Sequence, residues 1–483
     1  MPITRPRSRF AGQHLFAATV ALLLAACVSD SVTLPVAPGD APALGKAPST
    51  GGPTVTSTLP KSGEKGQTID VHVYGTGFAA GATATWALHG VADPSKVKTN
   101  STTFVSSTEL IANVTIAPDA TIDYWDVQVA AAFCCKTGVG TELFEVTSAM
   151  PVAPGAIAYG VNDAGDIVGL SNGAFVVSGA DASFTNLGPR KATSISQNGL
   201  VAVGGVEGSS SGTPYAGVWT RAAGAPWPVT GARLPDPIGM TSGSGLAYAV
   251  ATVPAEGVTL IAGTLNSPST AVYWESADGT WTSPARRLPV PAAYASSPQN
   301  VPLAIAATGD IAGKVQDQAR GNLIPVLWRR VAGIYVADVL PLPSGWTSGA
   351  VNGISPDGSV MVGNVRQSKN GFSPAFWTRD ANNNYTVGLL PTLNGTYGYL
   401  VQAYGVTVVG GVVRAVGTSP GATNGTWVHG VLWTWTAGGS DFHVRDMGGV
   451  GTKTDVTPYA INPAGTIAVG ADGTGAIKWL LQP

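Results

Sequence analysis

The side chains equipped for covalent or metal chemistry are few in this sequence, and two of them are neighbours, Cys134 and Cys135. Adjacent residues of a strand point to opposite faces, so a disulfide between them needs a turn and a strained peptide. Two reduced thiols, a vicinal disulfide in an oxidising compartment, and intermolecular pairing or a metal all stay open for this pair. The chain has five His, none at metal-ligand spacing from the two thiols, so no metal site and no cofactor is expected.

Hydrolytic chemistry finds no better footing. Glycoside hydrolysis needs two carboxylates ~5 to 9.5 Å apart. Asp and Glu together number only 28 in 483 residues, and most Asp stand in turn sequences. There is no Gly-x-Ser-x-Gly elbow with a plausible His partner, no His-Glu-x-x-His and no P-loop. What remains is a set of polar and aromatic residues in long loops: Glu207, Asp317, Arg320, Arg366, Lys369, Asn370 and Trp427. Such a set suits a binding face.

The elements that must carry these loops are strands. With 63 Gly and 35 Pro, the chain predicts many short strands joined by tight turns. Hydrophobic residues at 44% allow a substantial core, while charged residues reach only 11%. Ser, Thr, Asn and backbone must therefore wet much of the surface. A formal net charge of -2, with no long basic run beyond the N-terminus, gives no support to a nucleic-acid partner.

From about 148 onward the sequence repeats at roughly 50-residue intervals, the period of a propeller or array. A glycine recurs at Gly169, Gly204, Gly263, Gly313, Gly363, Gly417 and Gly470. An apolar strand then ends at Val177, Trp219, Trp274, Trp328, Trp377, Trp433 and Trp479. The stretches Asn162-Asp163-Ala164-Gly165, Ser196-Gln197-Asn198-Gly199, Ser355-Pro356-Asp357-Gly358 and Asn462-Pro463-Ala464-Gly465 read as hairpin turns. Leu234-Pro235, Leu288-Pro289, Leu342-Pro343 and Leu390-Pro391 mark the end of a fourth strand. Each copy is a four-stranded meander, and seven copies make a seven-bladed β-propeller. The recurring Trp are expected in core or inter-blade packing. The last copy stops before its fourth strand. Residues 144–152, with Met150-Pro151 where Leu-Pro would fall, are expected to supply it and close the ring. Alternation puts the long second loops, 205–214, 314–323, 364–373 and 418–428, on one face with the blade connections.

Upstream, Ile69, Val71 and Val73 alternate with polar residues, as do Trp125, Val127 and Val129. Residues 53–147 thus predict an immunoglobulin-like sandwich. The order Pro53-Thr54-Val55, Val71-His72-Val73-Tyr74-Gly75-Thr76-Gly77-Phe78, Ser106-Ser107-Thr108-Glu109-Leu110 and Tyr124-Trp125-Asp126-Val127-Gln128-Val129 resembles the IPT/TIG domain. The resemblance implies a spacer or binding module without catalytic residues. The repeats over 148–483 resemble the HAF-type extracellular repeat. His429-Gly430-Val431-Leu432-Trp433 comes nearest, and Pro374-Ala375-Phe376-Trp377 and Gly173-Ala174-Phe175 keep part of it. That resemblance implies an extracellular protein with no established reaction.

The N-terminus carries Arg5, Arg7 and Arg9, then an apolar run over 15–26. A bilayer span takes about 20 residues, so the run reads as a signal peptide over 1–26. It ends Leu24-Ala25-Ala26-Cys27, which resembles the bacterial lipobox and implies lipidation of Cys27 and a membrane partner through that lipid. Val28, rather than Asp, favours the outer membrane over the inner. Residues 27–52 are rich in Pro, Gly, Ala and Ser and read as a tether. The whole predicts an exported, all-β lipoprotein that binds a glycan or protein without catalysis. A carbohydrate-active hydrolase or lyase at the channel mouth and a structural envelope component are the alternatives.

Overall fold

A computed structural model describes residues 52–481 apart from 61, 122, 132–135, 148, 208–212, 241–242, 267–268, 368–370, 394, 396–397, 399–400, 421–427 and 451–454. Among the described residues the chain is all-β, with a single 3₁₀ turn at Ala292–Tyr294. No helix among them is long and apolar enough to cross a membrane.

Two sheets form first. One contains Thr54–Leu59, Thr68–Thr76, Glu109–Ile116 and Val97–Ser106 in spatial order; the other is five-stranded and centred on Tyr124–Ala130. The alternation read in the sequence is the burial pattern. Val71, Val73, Val127 and Val129 are fully buried and join Trp86, Trp125 and Phe144 in one core shared by both sheets. Trp86 and Phe144 meet edge to face at 5.7 Å.

Seven four-stranded antiparallel sheets follow among the described residues, and we number them in chain order. The first strand of each sheet touches the first strands of both neighbours. The cycle closes between Thr457–Ile461 of sheet 7 and Ile157–Val161 of sheet 1. Sheet 7 takes its outer strand from Ala149–Pro154, which pairs with Gly475–Leu480. That strand lies later than the 144–152 expected from sequence, because Phe144 and Val146 are already committed to the core of the preceding sheets. Met150 and Pro151 sit inside the strand, opposite Lys478 and Ile477, rather than at its end. Proline is tolerated there because one side of an outer strand needs no ladder donor.

The recurring tryptophans join sheet to sheet. Trp219, Trp274, Trp328, Trp377, Trp433 and Trp479 are all buried within third strands, which run one to three residues beyond them. A buried indole N–H must find an acceptor, and each finds it on the preceding sheet. The acceptors are the carbonyls of Leu187 at 2.8 Å, Pro235, Pro289, Pro341 and Pro391 at 2.7 Å, and Gly448 at 3.0 Å. The Leu-Pro element presents that carbonyl. The N–H groups of Leu234, Leu288, Leu340, Leu390 and Met447 each bond to a third-strand carbonyl of their own sheet, and their side chains are buried. The next carbonyl is then aimed outward. In sheet 4 the element is Leu340-Pro341, two residues earlier than the Leu342-Pro343 read from sequence; Leu340, not Leu342, makes the anchoring bond.

Sheet 1 is the exception. The connection into it from sheet 7 is only 155–156, with no Leu-Pro element to supply an acceptor. Val177 accordingly stands where the other sheets have Trp, and small residues, Ala153, Ala156, Ala158 and Ala476, fill that interface with Phe175.

Replacing Trp328 by Phe keeps the apolar ring but orphans the Pro289 carbonyl. The expected loss is about 1–3 kcal/mol of stability, read as a lower urea midpoint. An unchanged midpoint would show that the indole bond does not hold sheets 3 and 4 together.

Candidate functional site

All seven first strands carry a register shift at the same place. Such a bulge leaves one residue out of the ladder and re-aims its side chain. The residues so released are Tyr159, Thr193, Tyr248, Leu303, Asn352, Tyr404 and Tyr459. All are half-buried and stand on the innermost strands, so they encircle the axis. The residue after each is small: Gly160, Ser194, Ala249, Ala304, Gly353, Gly405 and Ala460. The reason is close approach. A Cβ on Gly353 would lie 2.4 Å from the Tyr404 carbonyl oxygen of the next sheet.

The axis has two chemically different arcs. On sheets 6, 7 and 1, Tyr404, Tyr459 and Tyr159 form a chain of ring contacts with centroids 5.2 and 5.3 Å apart. Asn352 donates through Nδ2 to Oε1 of Gln402 at 3.3 Å, and Gln402 donates through Nε2 to the Tyr404 hydroxyl at 2.7 Å. Burial pushes all three phenols above their ordinary pKa, so they stay protonated and can donate. On sheet 2, Lys191 Nζ lies 5.5 Å from the Tyr159 ring centroid. Burial depresses the Lys191 ammonium, and Lys314 on sheet 4 is depressed for the same reason. Among the described residues neither lysine has an acidic partner.

Beside this arc lies a pocket of about 400 Å³ lined by Leu170, Arg190, Lys191, Gly205, Pro214, Gly245, Leu246 and Tyr248. It opens at the ends of the first and second strands, on the long-loop face. Leu170 and Gly205 each directly follow the recurring glycine of their sheet; Lys314 occupies that same position in sheet 4.

On the opposite face, where first and second strands turn, arginines of neighbouring sheets engage four carboxylates. Asp166 pairs with Arg221 at 3.3 Å, Asp310 with Arg379 at 2.8 Å, and Glu256 and Glu275 with Arg330 at 2.6 and 2.9 Å. The turn residues also serve the fold. Asn162, Ser196, Ser355 and Asn462 are buried, and each accepts a backbone N–H across its own turn. Among the described residues no group of three His, Cys, Asp or Glu could hold a metal.

The loop residues singled out from sequence fare differently. Glu207, Arg320 and Arg366 are exposed. Asp317 accepts the Ala319 N–H at 2.9 Å and stands 3.8 Å from Arg320. The Arg366 guanidinium lies over Phe372 at 5.4 Å. No hydrogen bond or ion pair among the described residues joins Glu207 or Arg366 to the other two. Lys369, Asn370, Trp427, Cys27, Cys134 and Cys135 lie outside the described residues. Sequence reading missed Arg190, Lys191, Lys314 and the bulged ring. The available signal was the variable residue ahead of a small one and Val or Ile, as in Ala158-Tyr159-Gly160-Val161 and Pro458-Tyr459-Ala460-Ile461.

No protein-family model matches the sequence, and no curated protein is significantly similar to it. Solved structures match at low identity. TolB from Acinetobacter baumannii matches at 13% identity and TM-score 0.32, over 56% of this chain and 60% of that one. The Dos1 propeller matches at 8% and 0.36, over 69% and 94%. The β-propeller domain of the Trilobed protease from Pyrococcus furiosus matches at 7% and 0.35, over 82% and 96%. Strand order and the closed cycle of first strands define the class independently of these: the chain forms a β-propeller.

A second polar cluster joins the two leading sheets to the ring. Asp446, at the end of the outer strand of sheet 6, accepts from Gly448 N–H at 3.0 Å and pairs with His429 Nδ1 at 2.5 Å. Glu145, from Thr137–Thr147 of the leading sheets, reaches Gly448, whose carbonyl receives the Trp479 indole. Burial, with the Asp446 charge beside it, raises the Glu145 carboxyl to about 7. The hydrogen bond to Asp446 raises His429. Both groups bind protons more tightly folded than unfolded. Their stabilisation is therefore full at low pH and is lost as pH rises, from about 4.5 to 7 for Glu145 and above the ordinary His value for His429. The melting temperature should fall between pH 5 and 8, and Glu145→Gln should flatten that fall and raise the melting temperature at pH 8. An identical pH profile in the variant would contradict the buried carboxyl at this junction.

Proposed function

We propose that this chain is an exported, lipid-anchored binding protein whose seven-bladed propeller takes a ligand at the long-loop mouth of its axis. In this reading residues 1–26 direct export, Cys27 carries lipid that partners the outer membrane, and 27–52 are a tether. Residues 53–147 are an immunoglobulin-like spacer of IPT/TIG type, and 148–483 are the propeller of HAF-type repeats.

The observation that carries the binding reading is the contrast between the two faces. On the turn face four carboxylates, Asp166, Glu256, Glu275 and Asp310, pair with inter-sheet arginines. At the other mouth a pocket of about 400 Å³ combines apolar walls with Arg190, Lys191 and Tyr248. That volume falls within the ~300–1,000 Å³ common for small-ligand sites. Two cations and a phenol line this pocket, and the phenols and amides of the axis arc lie beside it, which suits recognition of a glycan or a protein segment. The paired carboxylates that a glycoside hydrolase would use are not among the residues lining this pocket.

Two measurements test the reading. Wild-type protein should fractionate with membranes, and Cys27→Ser should move to the soluble exported fraction; continued membrane partition of the variant would refute the lipid anchor. An array of glycans and peptides should yield at least one ligand for the full chain, with binding weakened about tenfold by Tyr248→Ala, corresponding to about 1.4 kcal/mol. A ligand indifferent to Tyr248→Ala would move the site elsewhere.

A further inference from the structure

We infer that the ligand of this mouth is a carboxylate-bearing sugar, with Lys191 holding the carboxylate, Lys314 of sheet 4 adding a second cation, and the tyrosine–amide arc holding ring hydroxyls. The inference rests on the binding reading above and names its ligand class.

Lys191 is the starting point. A half-buried ammonium without an anion costs the fold some stability. The Tyr159 ring face, 5.5 Å away, softens that cost without neutralising the charge. Lys314 repeats the situation two sheets on, at the position by which Leu170 and Gly205 line the pocket. Arg190 lines the same pocket as Lys191. In a chain with 28 acidic residues against 26 basic ones, four carboxylates pair with arginines of the opposite face, and none pairs with these lysines among the described residues. An anion brought by a ligand completes the arrangement.

The rest of the axis chooses the class of anion. Sheets 2 to 4 provide the cationic arc, with Tyr248 of sheet 3 between the two lysines. Sheets 5, 6, 7 and 1 provide neutral groups, Asn352, Gln402 and three phenols, linked by hydrogen bonds and ring contacts. Amide and phenol groups both donate and accept, which matches hydroxyls. Leu246, Leu170 and the Tyr248 ring give an apolar wall for the C–H face of a pyranose. A uronic acid has all three features: one carboxylate, several hydroxyls and an apolar ring face. An acidic peptide would use the cations but leave the hydroxyl-reading arc without a counterpart.

The test is calorimetry on the full-length protein in detergent micelles. The probes are galacturonic acid, tri-galacturonate, carboxyl-reduced trisaccharide and a Glu-rich hexapeptide. Tri-galacturonate should bind, the reduced sugar at least tenfold more weakly. Lys191→Met and Lys314→Met should each weaken tri-galacturonate at least tenfold, with melting temperatures equal to or above wild type because a half-buried charge without an acidic partner has been removed. Lys98→Met, on the exposed strand Val97–Ser106, is the charge-matched control and should bind as wild type. Tight binding of the monosaccharide would assign the site to free uronate, and preference for the trimer would assign it to a polymer. Equal binding of charged and reduced sugars, or undiminished binding by Lys191→Met, would overturn the carboxylate assignment. Preference for the peptide would overturn the sugar class while leaving the mouth as a binding site. No binding by any probe, together with an empty glycan and peptide array, would overturn the binding reading itself.

Discussion

Six recurring indole N–H groups, buried at the boundaries between sheets, are each satisfied by a carbonyl across the boundary. Each of Trp219, Trp274, Trp328, Trp377, Trp433 and Trp479 is filled in by its own sheet's third strand but hydrogen-bonded by the sheet before it. Neighbouring sheets therefore fix one another's position, and the first strands are driven into a closed cycle. The seam between sheets 7 and 1 lacks the latch, and there the chain substitutes covalent continuity: Ala149–Pro154 completes sheet 7 and leads through 155–156 directly into sheet 1. The bulged axis residues, the mouth pocket and the ion pairs of the turn face all depend on that closure.

Much of this scaffold was legible in the sequence because the packing admits few solutions. Trp with Leu-Pro, and Asn or Ser with Gly, recur because an indole needs an acceptor and a tight turn needs a cap and a positive φ, as at Gly165 and Gly465. The site was less legible for the complementary reason. At the bulge the backbone demands only that a residue leave the ladder, so Tyr, Thr, Leu and Asn all serve, and the constancy lies in the small residue that follows. Lys191 and Lys314 were hidden because each stands at a position filled elsewhere by Gln402 or Ile157, and by Leu170 or Gly205. The closing strand was misplaced because 144–152 alternates as well as 149–154. Only the prior claim of Phe144 and Val146 on the other core separates them.

The two faces divide the labour. On the turn face, charge is consumed in holding sheets together: Arg330 alone engages Glu256 and Glu275 from the neighbouring sheet. On the long-loop face, Lys191 and Lys314 are half-buried without acidic partners among the described residues, and phenols are held neutral by burial. A fold that leaves lysines in that state forgoes stability there, which is the usual relation between a binding site and its scaffold. The junction at Glu145 and Asp446 adds a titratable contact between the leading sheets and the last latch at Gly448, so the outer edge of the ring is tied to what precedes it.

The central claim is that the ring is closed by Ala149–Pro154 and behaves as one cooperative unit. Amide hydrogen exchange of the full chain, followed by mass spectrometry over 149–154 and over the first strands, tests it most directly. Closure predicts that 149–154 exchanges as slowly as Gly245–Val253 and Ser348–Ile354, through global unfolding. Rapid exchange over 149–154 while those inner strands stay protected would contradict it.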